Sequence, residues 1–237
     1  MSAILSTRGL TRRFGGLLAV NGVDLDLEAG EIRALIGPNG AGKTTFVSML
    51  IGRIAPTAGH ILLEGRDVTR LPAHRRVGLG MAYTFQITSV FRRLTVEENV
   101  ALAVGRRERR AGAVRAQTAA ALARVGLEAR AGEEAGTLSY GHQRLLEVAM
   151  GLAQGPRVLI LDEPTQGLSE GEIAGFVALV RSLVPATTVL LIEHNMSVVM
   201  DLATRITVLD SGAVLAEGTP AAIRADARVQ AAYLGAG

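Results

Sequence analysis

The turn from Gly37 to Thr44 constrains the fold of this 237-residue chain more than any other segment. It reads G-P-N-G-A-G-K-T, it follows a short apolar run at 31–37, and an apolar stretch with helical spacing comes directly after it. Glycines let such a turn curl until consecutive N–H groups face phosphate oxygens, and the positive end of the next helix adds to the attraction. The pattern G-x(4)-G-K-[ST] between a strand and a helix predicts a nucleotide site, in which Lys43 reaches the β- and γ-phosphates and Thr44 coordinates Mg²⁺.

The lysine content supports this prediction. Of the 25 basic residues, 24 are arginine and the one lysine is Lys43. Because arginine stands wherever either side chain would serve, we expect this position to require a compact ammonium group that a planar guanidinium cannot replace.

Composition narrows the class of protein. The absence of cysteine excludes disulfides, thiolate metal sites and a cysteine nucleophile. No apolar run approaches the roughly 20 residues of a membrane span, and the first residues lack the apolar core of a secretion signal, so a cytoplasmic location is expected. The net charge is only +3 and aromatic residues make up 3% of the chain, so no nucleic-acid partner is predicted.

The densest basic run surrounds Glu108 and consists of Arg106, Arg107, Arg109 and Arg110. We interpret it as a solvated helix face. Contact with anionic lipid headgroups is the alternative interpretation.

Short apolar runs predict further strands at 59–65, 80–85, 158–162, 187–193 and 205–209, with a last hairpin that carries Val214 and Leu215. Near-continuous apolar strands that alternate with helices indicate an α/β core covered on both faces. A capping box formed by Ser169 and Glu172 predicts the start of one of these helices.

The middle of the chain, from about 87 to 153, has no convincing strand and three helical stretches. One is rich in alanine and ends near Gly126. Another begins near residue 141, and its predicted buried stripe consists of Leu145, Val148, Ala149, Leu152 and Ala153. This pattern predicts a helical subdomain inserted into one domain that spans 1–237, with the α/β core at about 1–86 and 154–237.

The strand at 158–162 carries two acids at its carboxyl end, Asp162 as its last residue and Glu163 directly after it. Ligands in open α/β sheets bind at the carboxyl ends of the strands, so Asp162 is predicted to hold Mg²⁺ and Glu163 to orient or deprotonate the attacking water. On an extended backbone the two side chains would point in opposite directions. A solvated turn is the alternative for this pair taken alone.

Of the four histidines, His194 is the candidate for the site. It directly follows the strand at 187–193 and is therefore expected at the same sheet edge as Asp162. A contact with the γ-phosphate and a purely structural role are both open. His60 and His74 lie in polar contexts and are predicted to be surface residues.

With Gln86 after the strand at 80–85, and with Leu138-Ser139-Tyr140-Gly141-His142 opening a helix, the chain resembles the ATP-binding subunit of ABC transporters over essentially its whole length. The resemblance implies a P-loop NTPase of the ABC type, an α/β fold with a mixed sheet, an N-terminal antiparallel β part and the helical subdomain. It implies that Glu163, His194 and Gln86 are catalytic residues. It also implies that Thr44, Gln86 and Asp162 hold the Mg²⁺ ion. The nucleotide-binding residues that it implies are Phe14 against adenine, the loop Gly37, Pro38, Asn39, Gly40, Ala41, Gly42, Lys43, Thr44 and Thr45, and the signature residues Ser139 and Gly141.

In this family two subunits stack head-to-tail, so that each signature closes on the nucleotide of the other. The resemblance thus implies a second ABC ATPase subunit as partner, in a heterodimer or a homodimer. It also implies two transmembrane permease subunits, an indirect periplasmic binding protein, and a peripheral location on the cytoplasmic face of the bacterial inner membrane.

Two departures from the family pattern stand out. The usual signature LSGGQ is replaced by a segment with Tyr140 and His142, although the serine and the second glycine remain. The turn after Glu163 usually ends in an aspartate that signals across the dimer, and Ser169 stands there instead. Ser169 can still cap its helix, but the carboxylate that signals between the two sites in this family is missing.

Within the family, several segments are similar to the ATPases of bacterial branched-chain amino-acid importers. They are Arg13–Leu17, Thr84–Gln86, Leu138–Gly141, Glu193–Met196 and the ending from Gly218 to Gly235. Urea and short-amide importers and the lipopolysaccharide-export ATPase are close alternatives. A non-transport ABC ATPase acting on ribosomes or DNA is disfavoured, since those proteins commonly carry two cassettes or long coiled coils.

The segment Ile87–Asn99 joins the nucleotide site to the helical subdomain. Val90, Phe91 and Leu94 lie there beside two arginines, a pattern that suits a groove for a permease helix. The alternative is that these apolar residues pack inside the subdomain.

Overall fold

The computed structural model describes residues 3–84 and 89–234. In these residues the strands are β1 (Ala3–Phe14), β2 (Leu17–Glu28), β3 (Ile32–Ile36), β4 (Ala58–Leu63), β5 (Arg66–Asp67), β6 (Met81–Thr84), β7 (Val158–Asp162), β8 (Thr188–Ile192), β9 (Arg205–Asp210) and β10 (Ala213–Gly218). The helices are α1 (Lys43–Leu50), α2 (Ala73–Gly78), α3 (Val96–Val104), α4 (Ala111–Val125), α5 (Tyr140–Ala153), α6 (Glu170–Leu183), α7 (Met196–Leu202), α8 (Pro220–Ala225) and α9 (Ala227–Leu234). Two short 3₁₀ turns, Glu128–Arg130 and Ala135–Thr137, precede α5.

The strands form two sheets. The smaller sheet is antiparallel, with the order β2-β1-β4-β5, and it is built from the long N-terminal hairpin. The larger sheet has the order β10-β9-β3-β8-β7-β6, and its strands run parallel except for the edge pair β9–β10. The predicted mixed sheet and antiparallel N-terminal part are therefore confirmed.

The central strands β3, β7 and β8 are buried along their whole length, as their continuous apolar runs predict. Alternate residues of β7 enter different cores because successive side chains of a strand point to opposite faces. Leu159 and Leu161 pack with the middle helices and α6, whereas Val158 and Ile160 pack with α1 and the antiparallel sheet. The carboxyl ends of β3, β7 and β8 thus open side by side at one edge.

The three helices expected in the middle of the chain are present as α3, α4 and α5, which pack on one another. The predicted stripe of α5 is too narrow. Leu146 is fully buried and Leu145 only partly, because α5 contacts both its neighbouring helices and the sheet. In the described residues no helix is long and apolar enough to cross a membrane.

The basic run around Glu108 is not a helix face, which corrects that prediction. Helix α3 ends at Val104 and α4 begins at Ala111, so the arginines lie in the connecting loop. Glu108 accepts hydrogen bonds from the N–H groups of Arg109 and Arg110 and pairs with the Arg110 guanidinium. These local bonds compete with helical ones and keep the loop in a turn.

Candidate nucleotide-binding site

The loop after β3 is shaped by glycines at positions where no other residue fits. Gly42, the N-cap of α1, has φ +96°, and a Cβ there would lie 2.4 Å from the carbonyl oxygen of Ala19. At Gly37 a Cβ would lie 2.1 Å from the carbonyl oxygen of Leu209. The loop is therefore pressed between β2 and β9. Within the described residues the N-terminus of α1 has no side-chain cap, which leaves its first N–H groups available to an anion.

Lys43 extends back over this loop. Its Nζ donates hydrogen bonds to the carbonyl oxygens of Gly37 at 2.6 Å and Pro38 at 2.9 Å, and the residue is buried. Burial lowers the pKa of Lys43, while the charges of Glu163 and Asp162 oppose that shift. The ammonium is thus held at the loop by backbone carbonyl oxygens, with the charges of the two acids near enough to stabilise it.

Asp162 ends β7 as a buried carboxylate. The hydroxyl of Tyr83, on the neighbouring strand β6, donates a hydrogen bond of 2.6 Å to its Oδ2. Burial raises the pKa of Asp162, and the bond from Tyr83 opposes the rise. Tyr83 was not foreseen from the sequence, because its partner comes from a strand that is 79 positions away.

Glu163 and His194 meet at the sheet edge. Glu163 Oε1 lies 2.8 Å from His194 Nε2, which brings together two predicted site residues from the ends of β7 and β8. The extended backbone predicted for Glu163 is wrong, since its φ is +48°. Its N–H donates to the carbonyl oxygen of Ile192 at 2.8 Å, so Glu163 is still bonded to β8 at the point where the chain leaves the strand. A left-handed conformation is unfavourable for glutamate and persists only where neighbouring contacts enforce it.

A cavity of about 650 Å³ lies between the phosphate loop and the Glu163–His194 pair. Its wall contains Asn39, Gly40, Ala41, Gly42, Lys43, Thr44 and Thr45 from the loop and α1, together with Glu163 and His194. The uncapped helix end and the glycine cradle fit a nucleotide phosphate, while the Thr44 hydroxyl and the Asp162 carboxylate are the oxygen ligands that Mg²⁺ prefers.

A family model described as ABC transporter matches residues 20–166. The chain belongs to this family. A second model, described as Branched-chain amino acid ATP-binding cassette transporter, matches residues 213–237 of this ABC ATPase.

Relatives extend the match to the full length. The chain is 43% identical to the high-affinity branched-chain amino acid transport ATP-binding protein BraF of Pseudomonas aeruginosa, and 43% identical to LivG of Escherichia coli K12, with 98% of both chains covered in each case. Among solved structures it is similar to the ADP conformation of MJ1267, an ATP-binding cassette of an ABC transporter, with a TM-score of 0.90, 25% identity and coverage of 99% of this chain and 100% of that one.

The signature segment lies apart from this cavity. Ser139 caps α5, and its hydroxyl accepts the N–H of His142 at 3.2 Å and lies 2.8 Å from the Nδ1 of that ring. Gly141 faces α6, where a Cβ would lie 2.4 Å from an oxygen of Glu172. Neither Ser139 nor Gly141 lines the cavity that contains Lys43.

Four further predicted residues within 3–84 and 89–234 are absent from the wall, namely Gly37, Pro38, Asp162 and Phe14. Phe14 is 43% exposed at the tip of the β1–β2 hairpin, where Arg12 stacks on its ring at 4.4 Å. It pairs in register with Leu17, which does line the cavity. Gln86 lies outside the described residues. Its assignment to catalysis and to the metal stays a prediction.

Arg144 is a site residue that the sequence did not reveal. It is fully buried on α5, pairs with Glu147 at 3.0 Å, and donates to the carbonyl oxygens of Asp162 and Glu163. A charged residue among apolar positions of a predicted helix was the only indication in the sequence. Through this side chain the middle helices contact the end of β7 directly.

Proposed function

We propose that this ABC ATPase hydrolyses ATP with the residues that line the cavity. The observation that carries the proposal is the 2.8 Å contact between Glu163 and His194 at the wall of the cavity that holds Lys43. A carboxylate beside a histidine, next to a phosphate-binding loop, is suited to activating water for attack on a terminal phosphate.

Each residue has a separate task in this mechanism. Residues 37–45 bind the phosphates through N–H groups and Lys43, and Phe14 stacks on adenine. Thr44, Asp162 and Gln86 would hold Mg²⁺, which neutralises charge on the phosphate oxygens when bound. Glu163 orients the attacking water and accepts its proton. His194 fixes the Glu163 carboxylate and donates to the γ-phosphate.

The second half of the site comes from another ABC ATPase subunit. Ser139 and Gly141 lie outside the cavity of their own chain, and this supports a head-to-tail pair in which each signature meets the nucleotide of the other. A solved relative of the same fold, MJ0796, is described as a dimer bound to ADP and Pi. The native pair is a heterodimer in this proposal, with a homodimer as the alternative.

The transported cargo is a branched-chain amino acid. BraF and LivG carry this activity in their names, and the residues at 213–237 match a model specific to such transporters. The lipopolysaccharide export protein LptB of Acidithiobacillus ferridurans is less similar, at 34% identity. The chain would work at the cytoplasmic face of the inner membrane with two permeases and, indirectly, a periplasmic binding protein.

The permeases would contact the junction between the core and a helical subdomain at about 87–153. Phe91 is 55% exposed, whereas Val90 and Leu94 are partly buried and Val90 packs against the core. The exposed ring of Phe91, which is followed by the exposed Arg92 and Arg93, therefore supports the interface hypothesis. Val90 supports the packing alternative for its own position.

Uptake measurements test the cargo. We expect deletion of the gene in its source organism to abolish high-affinity uptake of labelled leucine, isoleucine and valine, and to leave urea uptake unchanged. The wild-type gene restores uptake and Glu163→Gln does not. Normal leucine uptake in the deletion strain, with loss of urea uptake or of lipopolysaccharide export, would assign the chain to one of those alternatives.

A further inference from the structure

Glu193 is a buried acid that the mechanism above does not use. It is the first residue of the loop after β8, it is 4% exposed, and it faces the loop after β7. A buried carboxylate is costly unless hydrogen bonds or a cation compensate its charge.

Four hydrogen bonds provide that compensation, and they come from two separate loops. Oε1 accepts the N–H of Thr165 at 2.9 Å and the hydroxyl of Thr165 at 2.6 Å. Oε2 accepts the N–H of His194 at 3.0 Å and the N–H of Asn195 at 3.2 Å. One oxygen is thus dedicated to the loop after β7 and the other to the loop after β8.

The bonded positions surround the Glu163–His194 pair. Thr165 lies two residues beyond Glu163, whose φ of +48° requires support from its surroundings. His194 is the next residue after Glu193, and its backbone N–H donates to the Glu193 carboxylate. On the other side, the N–H of Glu163 bonds to the carbonyl oxygen of Ile192. The two loops are therefore joined both before and after the contact between the two site residues.

We propose that Glu193 is a positioning residue for ATP hydrolysis, and that its carboxylate fastens the loop after β7 to the loop after β8 so that Glu163 and His194 keep their mutual geometry. The inference rests on the proposed roles of Glu163 and His194. Glu193 does not touch the substrate, and it acts through these two side chains.

The loop that Glu193 holds also contacts the signature segment. The loop that begins at Glu163 continues through Gly167, where a Cβ would lie 3.0 Å from the ring of Tyr140. It ends at Ser169, which forms a capping box with Glu172, and Glu172 in turn adjoins Gly141. Glu193 therefore fixes the start of a loop whose far end packs against the segment that meets the partner's nucleotide.

Glu193→Gln tests the proposal with little change of volume. Three of the four donors are backbone N–H groups, which cannot accept, so the NH₂ of glutamine must face at least one of them. We expect kcat to fall about ten- to a hundredfold, as expected for one or two buried donors left unpaired. The KM for ATP stays within about threefold, because Glu193 does not contact the phosphate loop.

Matched variants separate positioning from general destabilisation. Glu31→Gln makes the same change at a buried acid that bonds to Glu28 and Arg33, and it should lower Tm without lowering kcat. Thr165→Ser keeps the hydroxyl and should retain near-native kcat, whereas Thr165→Val should lose activity. The Thr165 pair also keeps the test decisive if Glu193→Gln does not fold.

A double variant distinguishes positioning of His194 and Glu163 from a general structural role of Glu193. If Glu193 acts through His194 and Glu163, adding Glu193→Gln to His194→Ala should cost less than about twofold more in kcat. Independent, multiplying losses overturn the proposal, and so does native kcat in Glu193→Gln or equal kcat losses in Glu193→Gln and Glu31→Gln. Native turnover in Glu163→Gln would instead overturn the proposed catalytic pair itself.

Discussion

Contacts around Asp162 and Glu163 differ in kind although the two residues are adjacent. Asp162 keeps the strand conformation and accepts a hydrogen bond from the Tyr83 hydroxyl. Glu163 leaves the strand with a positive φ, and its carboxylate contacts the His194 ring. Arg144 holds the carbonyl oxygens of both. One acid thereby stays in line with the buried strand, and the other is turned toward the cavity.

The bond from Tyr83 allows a test by pH. Burial is the main cause of the raised pKa of Asp162, and the hydrogen bond from Tyr83 lowers this pKa. Of the neighbouring groups, Glu163 raises the pKa further, whereas Arg144 and His194 lower it. Tyr83→Phe should raise this pKa further, so the ionised carboxylate needed for Mg²⁺ is lost at a higher pH. We expect the acidic limb of kcat/KM for Mg-ATP to move up by about one pH unit, equivalent to one hydrogen bond to a charged group.

The control for this shift is Asp162→Asn, which should lack that limb in the tyrosine and the phenylalanine backgrounds alike. An acidic limb that stays in place in Tyr83→Phe would show that ionisation of Asp162 does not limit the reaction at low pH.

At the scale of single residues, the sequence was informative where neighbours in the chain are also neighbours in space. The phosphate loop and its lysine lie in one continuous turn, so their pattern could be recognised directly. Tyr83, Arg144 and Glu193 could not be found in this way, because their partners come from other strands and helices. The left-handed conformation of Glu163 could not be predicted either, because glutamate rarely adopts positive φ and no glycine or asparagine marks the position in the sequence.

At the scale of elements, the sheet explains why the site forms where it does. Parallel strands β3, β7 and β8 are adjacent, so the loops that follow them open at one edge. Apolar runs in the sequence predicted each of these strands. They could not predict the order in which the strands pair, and the family resemblance implied only a mixed sheet with an antiparallel N-terminal part. Nor could they predict the loop between α3 and α4, where bonds to Glu108 replace helical ones.

The segment before α3 carries a second test. Buried Asn99 accepts the N–H of Phe91 at 2.7 Å and donates to its carbonyl oxygen at 3.0 Å, so the backbone is fixed while the ring is exposed. Because this ring has little packing to lose, Phe91→Asp should fold and bind ATP normally. We expect it to lose co-purification with the permeases and to abolish leucine uptake.

Val214→Asp is the matched control, since Val214 is also an exposed apolar residue but lies on the β9–β10 hairpin. It should leave assembly intact. Unfolding of Phe91→Asp would favour the packing alternative, and normal uptake would remove this segment from the interface.

At the scale of the whole molecule, the cavity and the signature segment lie at separate places on one chain. The cavity with Lys43 lies at the edge of the large sheet, and the signature residues Ser139 and Gly141 lie outside it. The loop from Glu163 to Ser169 runs between them and packs on Tyr140. This arrangement supports a pair of subunits in which ATP joins the two surfaces and hydrolysis separates them.

ATP turnover by Glu163→Gln tests the central claim most directly. The variant keeps the phosphate loop, so it should bind ATP as the wild type does, while its turnover falls on the order of a hundredfold or more because the attacking water loses its base. Lys43→Ala is the counterpart and should lose nucleotide affinity instead. Native turnover in Glu163→Gln, with ATP binding intact, would contradict the assignment of this carboxylate and with it the proposed site.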